Sequence, residues 1–247
     1  MNTQLLLAQL EDTLGDENER SYFRIHSVRY KKTIDQVEKL SAGKTLTILD
    51  IGCFPYHVGW MLEKMGHTVF GISSEHEPVK RKNVSVMNIE KDRLPFKDST
   101  FDLILCNEVI EHLPNSPVFA LREMKRVAKT DGCLMITTPN VTRLINRLKL
   151  IFGKSINYSL DAYFENGGKG NNMYHRHNRE YTLAELCTII SRAGWNIQEG
   201  GYFISYTPFR KQEKAESIFI KLGKIVYYYL LFFPSFQDTL YIVAKKL

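Results

Sequence analysis

Three histidines, a tyrosine and a short acid-glycine run stand at spacings that could do chemistry in this 247-residue chain. His112 follows Glu108 by four positions, so a helical turn from Glu108 to Leu113 would put both on one face. Imidazole titrates near ~6.5 and can take a proton from a hydroxyl at neutral pH. The plainer role for such a histidine is a hydrogen bond across a cleft floor. Tyr174, His175 and His177 lie in a second stretch, Asn171 to Thr182, dense in hydrogen-bonding side chains. His175 and His177 would point to one side of an extended strand, but no third ligand stands nearby, and no metal site is read from the sequence. His112, His175 and Tyr174 are the candidates for polarising or deprotonating a hydroxyl. The acid-glycine run is Asp50-Ile51-Gly52-Cys53-Phe54, where a glycine lets the backbone turn tightly beside a ligand.

These residues need a scaffold, and the apolar pattern supplies one. Thr45 to Ile51 is short, apolar and β-branched, as in a strand buried on both faces of a parallel sheet. His67 to Ile72, Val84 to Met87, Phe101 to Leu105 and Cys133 to Thr138 read as the next four strands. Between them Val58 to Met65, Ser116 to Lys129 and Thr182 to Ala193 read as helices. The last opens on a capping box, Thr182 with Glu185, and stops at Gly194. Strands alternating with helices mean an α/β doubly wound sheet, whose ligands bind beyond the carboxyl ends of the strands. Asp50, Gly52, Cys53, Ser73, Asn88 and Asn107 all fall near such ends and would converge on one cleft.

Composition narrows the setting. At 44% apolar residues, with no Pro/Gly-rich linker, repeat or low-complexity tract, the chain reads as one domain, residues 1–247. Within it, 1–44 reads as a helical cap, 45–140 as the cofactor half, 141–180 as a lid insertion and 181–247 as the remainder, with an apolar insertion at 208–237. Cys53, Cys106, Cys133 and Cys187 show no metal spacing and read as reduced thiols. The apolar run Leu5 to Ala8 is too short for a signal peptide, and a cytoplasmic protein is expected. Residues 1–140 carry 18 basic against 19 acidic side chains and residues 141–247 carry 15 against 8, so the positive excess lies in the C-terminal part. A positive surface there suits an anionic substrate or membrane face, or is simply solvated.

Three blocks in one order carry a resemblance: Thr47-Ile48-Leu49-Asp50-Ile51-Gly52-Cys53, then Leu94-Pro95-Phe96, then Phe101 through Glu108-Val109-Ile110-Glu111-His112-Leu113. Together they resemble the core of class I S-adenosylmethionine-dependent methyltransferases, nearest the type 11 methyltransferase-domain group of glycan and O-antigen clusters. The resemblance runs from roughly Lys44 to the C-terminus and implies a Rossmann-like, seven-stranded sheet. Trp195 to Phe203 would be its sixth strand and Thr239 to Lys245 an antiparallel seventh. It also implies S-adenosylmethionine as cofactor, held by Asp50, Gly52, Cys53, Phe54, Ser73, Glu75, Asn88, Ile89, Asn107 and Glu108. Three positions depart from the family. Phe54 and Tyr56 replace two glycines of the methionine loop, so Tyr56 must swing away or fill the pocket. Ser73 replaces the ribose-binding acid, with Glu75 two residues on to reach back, and Asn88 replaces the acid that meets the adenine amino group. Ser73 and Asn88 could equally cap their loops. A nicotinamide Rossmann protein is disfavoured because no Gly-x-Gly-x-x-Gly is present.

The insertions bear on the acceptor. Asn140 to Arg179 opens with a basic amphipathic helix, Leu144 to Phe152, ended by Gly153. His177-x-Arg179-Glu180-Tyr181-Thr182 resembles methyltransferases of glycan clusters. The expected reaction is methyl transfer to a hydroxyl of a sugar or lipid-linked glycan precursor. The alternatives are a small lipid or natural-product acceptor, and a non-catalytic binding protein on the same fold. Within the apolar stretch Ile218 to Phe233 the uninterrupted run is only Ile225 to Phe233, far short of the ~20 residues needed to span a bilayer. It reads as a peripheral contact with the inner face of the membrane, a packed helix or a homodimer seam. Nucleic acid is the disfavoured partner.

Overall fold

Thr47–Ile51 forms β1, and its alternation decides the layering. Leu49 and Ile51 enter one apolar cluster and Ile48 a second, so both faces are buried. β4 (Phe101–Asn107) and β5 (Ala128–Pro139) alternate likewise: Ile104, Cys106, Leu134 and Ile136 face the first cluster, Leu103, Leu105 and Met135 the second. A sheet buried on both faces needs helices on each. α1 (Thr3–Thr13), α2 (Glu17–Ser41) and α3 (His57–Lys64) supply one layer through Leu6, Phe23, Ile34, Met61 and Leu62. α4 (Val118–Val127) and α6 (Leu183–Arg192) supply the other through Leu121, Met124, Leu186 and Ile190.

With β2 (Thr68–Ser73), β3 (Val84–Val86), β6 (Asn196–Phe203) and β7 (Thr239–Lys245), the sheet has seven strands in the order β3-β2-β1-β4-β5-β7-β6. β7 is antiparallel to both neighbours and every other pairing is parallel, as expected. The structure, a computed structural model, describes residues 2–74, 79–157, 159–160, 164, 176–205 and 226–247. Glu75, Tyr174 and His175 lie outside the described residues, as do 218–225 of the apolar stretch.

Element ends follow local chemistry. Both bonds of the Thr182–Glu185 capping box are made at the start of α6. At the start of α2, Asp16 accepts the Glu19 N–H at 2.8 Å. α5 (Leu144–Ile151) forms and is followed by Gly153 at φ 65°, a left-handed position that suits glycine. α4 is shorter than expected. The helix read through Lys129 ends at Val127 because Ala128 already pairs with Phe101 in the sheet, and Lys129 reaches Asp102 at 2.8 Å. The described part of the apolar insertion buries Leu231 and exposes Tyr229, Phe232 and Phe233. Among the described residues no helix is long and apolar enough to cross a membrane.

Candidate active site

The order of the strands reverses at β1, which has β2 on one side and β4 on the other, and the carboxyl ends there frame a crevice. A cavity of ≈ 380 Å³ occupies it. Its floor comes from the strand ends: Gly52 and Phe54 after β1, Ser73 and Ser74 after β2, Asn88 and Ile89 after β3, Asn107 and Glu108 at β4. Its wall comes from Tyr22, His26 and Arg29 of α2 and from Glu111, His112 and His177. A smaller annex of ≈ 40 Å³ adjoins it, bounded by Asp50, Cys53, Tyr30, Thr33, His57 and Asn107.

Gly52 sits at φ +76°, and a Cβ there would collide with the Val109 side chain, so only glycine keeps this backbone open to the cavity. Asp50 and Cys53, expected at the main cleft, face the annex instead, because Asp50 alternates with Leu49 and Ile51 onto the α2 side of β1. Asp50 is buried, and burial pushes its carboxyl up to about 7. Cys53 packs against Gly71, where a Cβ would meet its sulfur, and burial pushes its thiol above the usual range. Tyr56 swings away from the cavity. Its hydroxyl donates to Glu63 at 2.8 Å, accepts from Asn83 at 2.7 Å, and the ring packs over Gly59. Ser73 reaches the cavity and also caps its loop, accepting the Val79 N–H at 3.2 Å. Asn88 does the same, accepting the Glu90 N–H at 3.0 Å. Asn107 donates to Thr33 of α2 at 3.4 Å.

The Glu108–His112 segment departs from expectation. Glu108 is at φ 55°, its N–H donating to the Thr137 carbonyl at 2.9 Å, and only Ile110–His112 forms a turn of 3-10 helix. Glu108 and His112 therefore do not share a helical face. Instead, successive threonines of β5 hold the two acids: Thr137 donates to Glu108 and Thr138 to Glu111, each at 2.9 Å. Arg29 pairs with Glu108 at 3.0 Å. Glu111 is fully buried, and that burial, with the charge of Glu108, pushes its carboxyl well above the usual range. The segment 176–180 docks on this turn. Asn178 donates its backbone N–H to the Glu111 carbonyl at 2.7 Å and its side chain to the His112 carbonyl at 2.8 Å. His112 Nδ1 lies 3.2 Å from the Arg176 carbonyl, and His177 Nδ1 lies 2.9 Å from Glu180. Burial opposes ionisation of Glu180, but His177 and Arg143 outweigh it and hold the carboxyl below its ordinary value.

Sequence reasoning missed the α2 wall and Glu111. Tyr22, His26, Arg29 and Thr33 recur at helical spacing, a polar and aromatic stripe on a helix that otherwise packs inward, and that is the signal that could have found them. His26 is held neutral: burial, then the charges of Arg29 and His57, lower it to about 4.

The main cavity falls in the range of ligand pockets, about 300–1,000 Å³. The open backbone at Gly52, and the buried acid at Asp50 with no hydrogen-bond donor among the described side chains, fit a ligand with a cationic end. The profile of the methyltransferase domain family matches residues 24–199. The chain belongs to that family. The cofactor it implies is S-adenosylmethionine. A probable S-adenosylmethionine-dependent methyltransferase of Mycolicibacterium smegmatis is 23% identical over 190 residues, 75% of this chain and 63% of that protein. The mitochondrial ubiquinone biosynthesis O-methyltransferase of Bos taurus is 31% identical over 131 residues, 46% of this chain and 35% of that protein. The chain spans about half the length of the curated relatives it matches. Among solved structures, a SAM dependent methyltransferase from Archaeoglobus fulgidus shares the fold, with TM-score 0.60 and 16% identity over 90% of this chain and 94% of that one.

Proposed function

We propose that this methyltransferase-family protein transfers a methyl group from S-adenosylmethionine to a hydroxyl oxygen of an acceptor, a sugar of a glycan precursor. The bound cofactor supplies an electrophilic methyl carbon on a sulfonium. The observation that carries the reading is the electron-rich end of the cavity. Arg176's carbonyl can only accept, so His112 Nδ1 carries the hydrogen and Nε2 the lone pair, 3.9 Å from Glu111 Oε1. Nε2 is the acceptor toward which a hydroxyl entering this end directs its proton. Gly52 offers backbone to the cofactor, the Arg29–Glu108 pair closes the side wall, and α2 screens the chamber from water. The basic balance of residues 141–247 favours an anionic acceptor such as a diphosphate-linked sugar.

A phenolic, lipid-like acceptor is the second reading, favoured by the likeness to a ubiquinone biosynthesis O-methyltransferase. Calorimetry with S-adenosylmethionine and its demethylated product should give binding in the micromolar range. Mass spectrometry on reactions with nucleotide sugars, a lipid-linked sugar and catechols should then find the added methyl on a sugar hydroxyl. Methylation of catechols alone would select the second reading. Absence of cofactor binding would remove both and leave a binding scaffold.

A further inference from the structure

We propose that Glu111, His112 and His177 form a binding site for a divalent first-row metal ion, Mn²⁺, Co²⁺ or Zn²⁺, at the acceptor end of the cavity. One ligand atom from each residue lies within 4.8 Å of the other two. Ligands on opposite sides of an ion at about 2.1 Å stand about 4.2 Å apart, so modest side-chain rotation closes the site.

Three observations support it independently. Glu111 Oε1 is fully buried and has no hydrogen-bond partner among the described residues, while its sister Oε2 is held by Thr138, so one oxygen is fixed in place and left to be satisfied by something else. A buried polar atom in that state is costly and calls for a partner. Second, both rings are held through Nδ1. His112 Nδ1 lies 3.2 Å from the Arg176 carbonyl oxygen and His177 Nδ1 lies 2.9 Å from a Glu180 carboxylate oxygen, so each ring uses Nδ1 on an oxygen behind it and keeps Nε2 as its ligand atom. A carbonyl or carboxylate behind each ligating imidazole is the usual support of a metal-bound histidine. Third, the ring centroids of His112 and His177 are only 5.0 Å apart, brought together by the docking of Asn178 on the Glu111–His112 backbone rather than by sequence. Two imidazoles with one carboxylate prefer Mn²⁺, Co²⁺ or Zn²⁺ to the oxygen-seeking Mg²⁺ and Ca²⁺.

All three side chains line the cavity, so sites left open on the ion face the chamber. The consequence for catalysis rests on the reading above: an acceptor hydroxyl bound to the ion loses its proton to water more readily, and the ion takes the place of a direct contact with His112.

The test uses the full, untagged chain after chelator treatment, titrated with Co²⁺ followed by visible absorption and with Zn²⁺ in competition, all without cofactor. One equivalent should bind with micromolar affinity. His177→Ala, on a partly exposed ring, should weaken binding at least about 30-fold, and Glu180→Gln, which loosens the support of that ring, about 10-fold. Glu111→Gln should act like His177→Ala, and equal thermal melting of His177→Ala and the parent would show that loss of fold is not the cause. A parent chain that binds neither ion, in which a proton serves Glu111 instead, overturns the site, and so does undiminished binding by His177→Ala. Cofactor calorimetry on the same samples separates the two ideas. Cofactor binding without metal binding rejects the ion site alone, whereas metal binding without cofactor binding rejects the methyl-transfer reading and leaves the site.

Discussion

Replacing Asp50 by asparagine tests the electrostatics of the annex directly. Asp50 is buried under α2, and burial lifts its carboxyl from the ordinary 3.8 to about 7. Because the folded value is raised, the native chain holds a proton that the unfolded chain releases, so stability falls as pH rises across that window and the full loss is present above it. At ~1.4 kcal/mol per tenfold, the loss is roughly 4 kcal/mol. Asparagine removes the charge but brings amide hydrogens that cost about 1–3 kcal/mol if they find no acceptor. Asp50→Asn should therefore be the more stable chain by about 1–3 kcal/mol near pH ~8 and the equal or weaker one near pH ~4. Urea unfolding of both chains across that range reads the difference. On the proposed reading the ammonium group of the cofactor would lie beside Asp50 and favour the carboxylate. Calorimetry in two buffers of different ionisation enthalpy should then find a proton released near pH ~6 and none near ~8. Stability curves that stay parallel with pH, with no proton exchanged on binding, would refute the reasoning.

Arg29→Met and Glu108→Gln, measured singly and together in denaturant, should show a coupling of about 1–3 kcal/mol, the scale of a largely buried pair; a coupling near zero would mean that α2 does not lean on this contact. Tyr56→Phe gives up the bonds to Glu63 and Asn83 and should cost about 1–3 kcal/mol of stability, while cofactor affinity stays within about twofold because the ring lies outside the cavity; a tenfold change in affinity would place it inside. Gly52→Ala meets both a left-handed backbone and Val109, and calorimetry should find cofactor binding weakened by about tenfold or more; unchanged affinity in a chain of normal melting temperature would show that this backbone does not touch the ligand.

The sheet was legible in sequence because its evidence is local. The alternation through Ile48, Leu49 and Ile51, the capping box at Thr182 and the stop at Gly194 each report on a few neighbouring residues. The cavity floor was legible for the same reason, since Gly52, Ser73, Asn88 and Asn107 simply end their strands. The wall was not. Arg29 meets Glu108 and His177 meets His112 across long stretches of chain, and nothing in either segment names its partner. His177 was weighed against His175, two residues away, although its neighbours in space are Glu111 and His112. Glu108 was read onto a helix because its spacing to His112 allowed one; the hydrogen bond to Thr137 that holds it out of the helix comes from the next strand.

The division between floor and wall has an evolutionary consequence. Floor residues are tied to strand ends, where a one-residue slip in register would turn Asp50 and its neighbours to the opposite face. Tyr22 and His26 answer to no register; they project from a helix whose anchorage is carried by other positions, Phe23, Arg29, Ile34 and Val37 among them. On the proposed reading, selection can therefore exchange these side chains and reshape the chamber for a new acceptor while the strand ends and the core stay as they are. Diversification among descendants of this chain should concentrate on one stripe of α2, and a library randomised at Tyr22 and His26 is the economical place to look for altered acceptor choice.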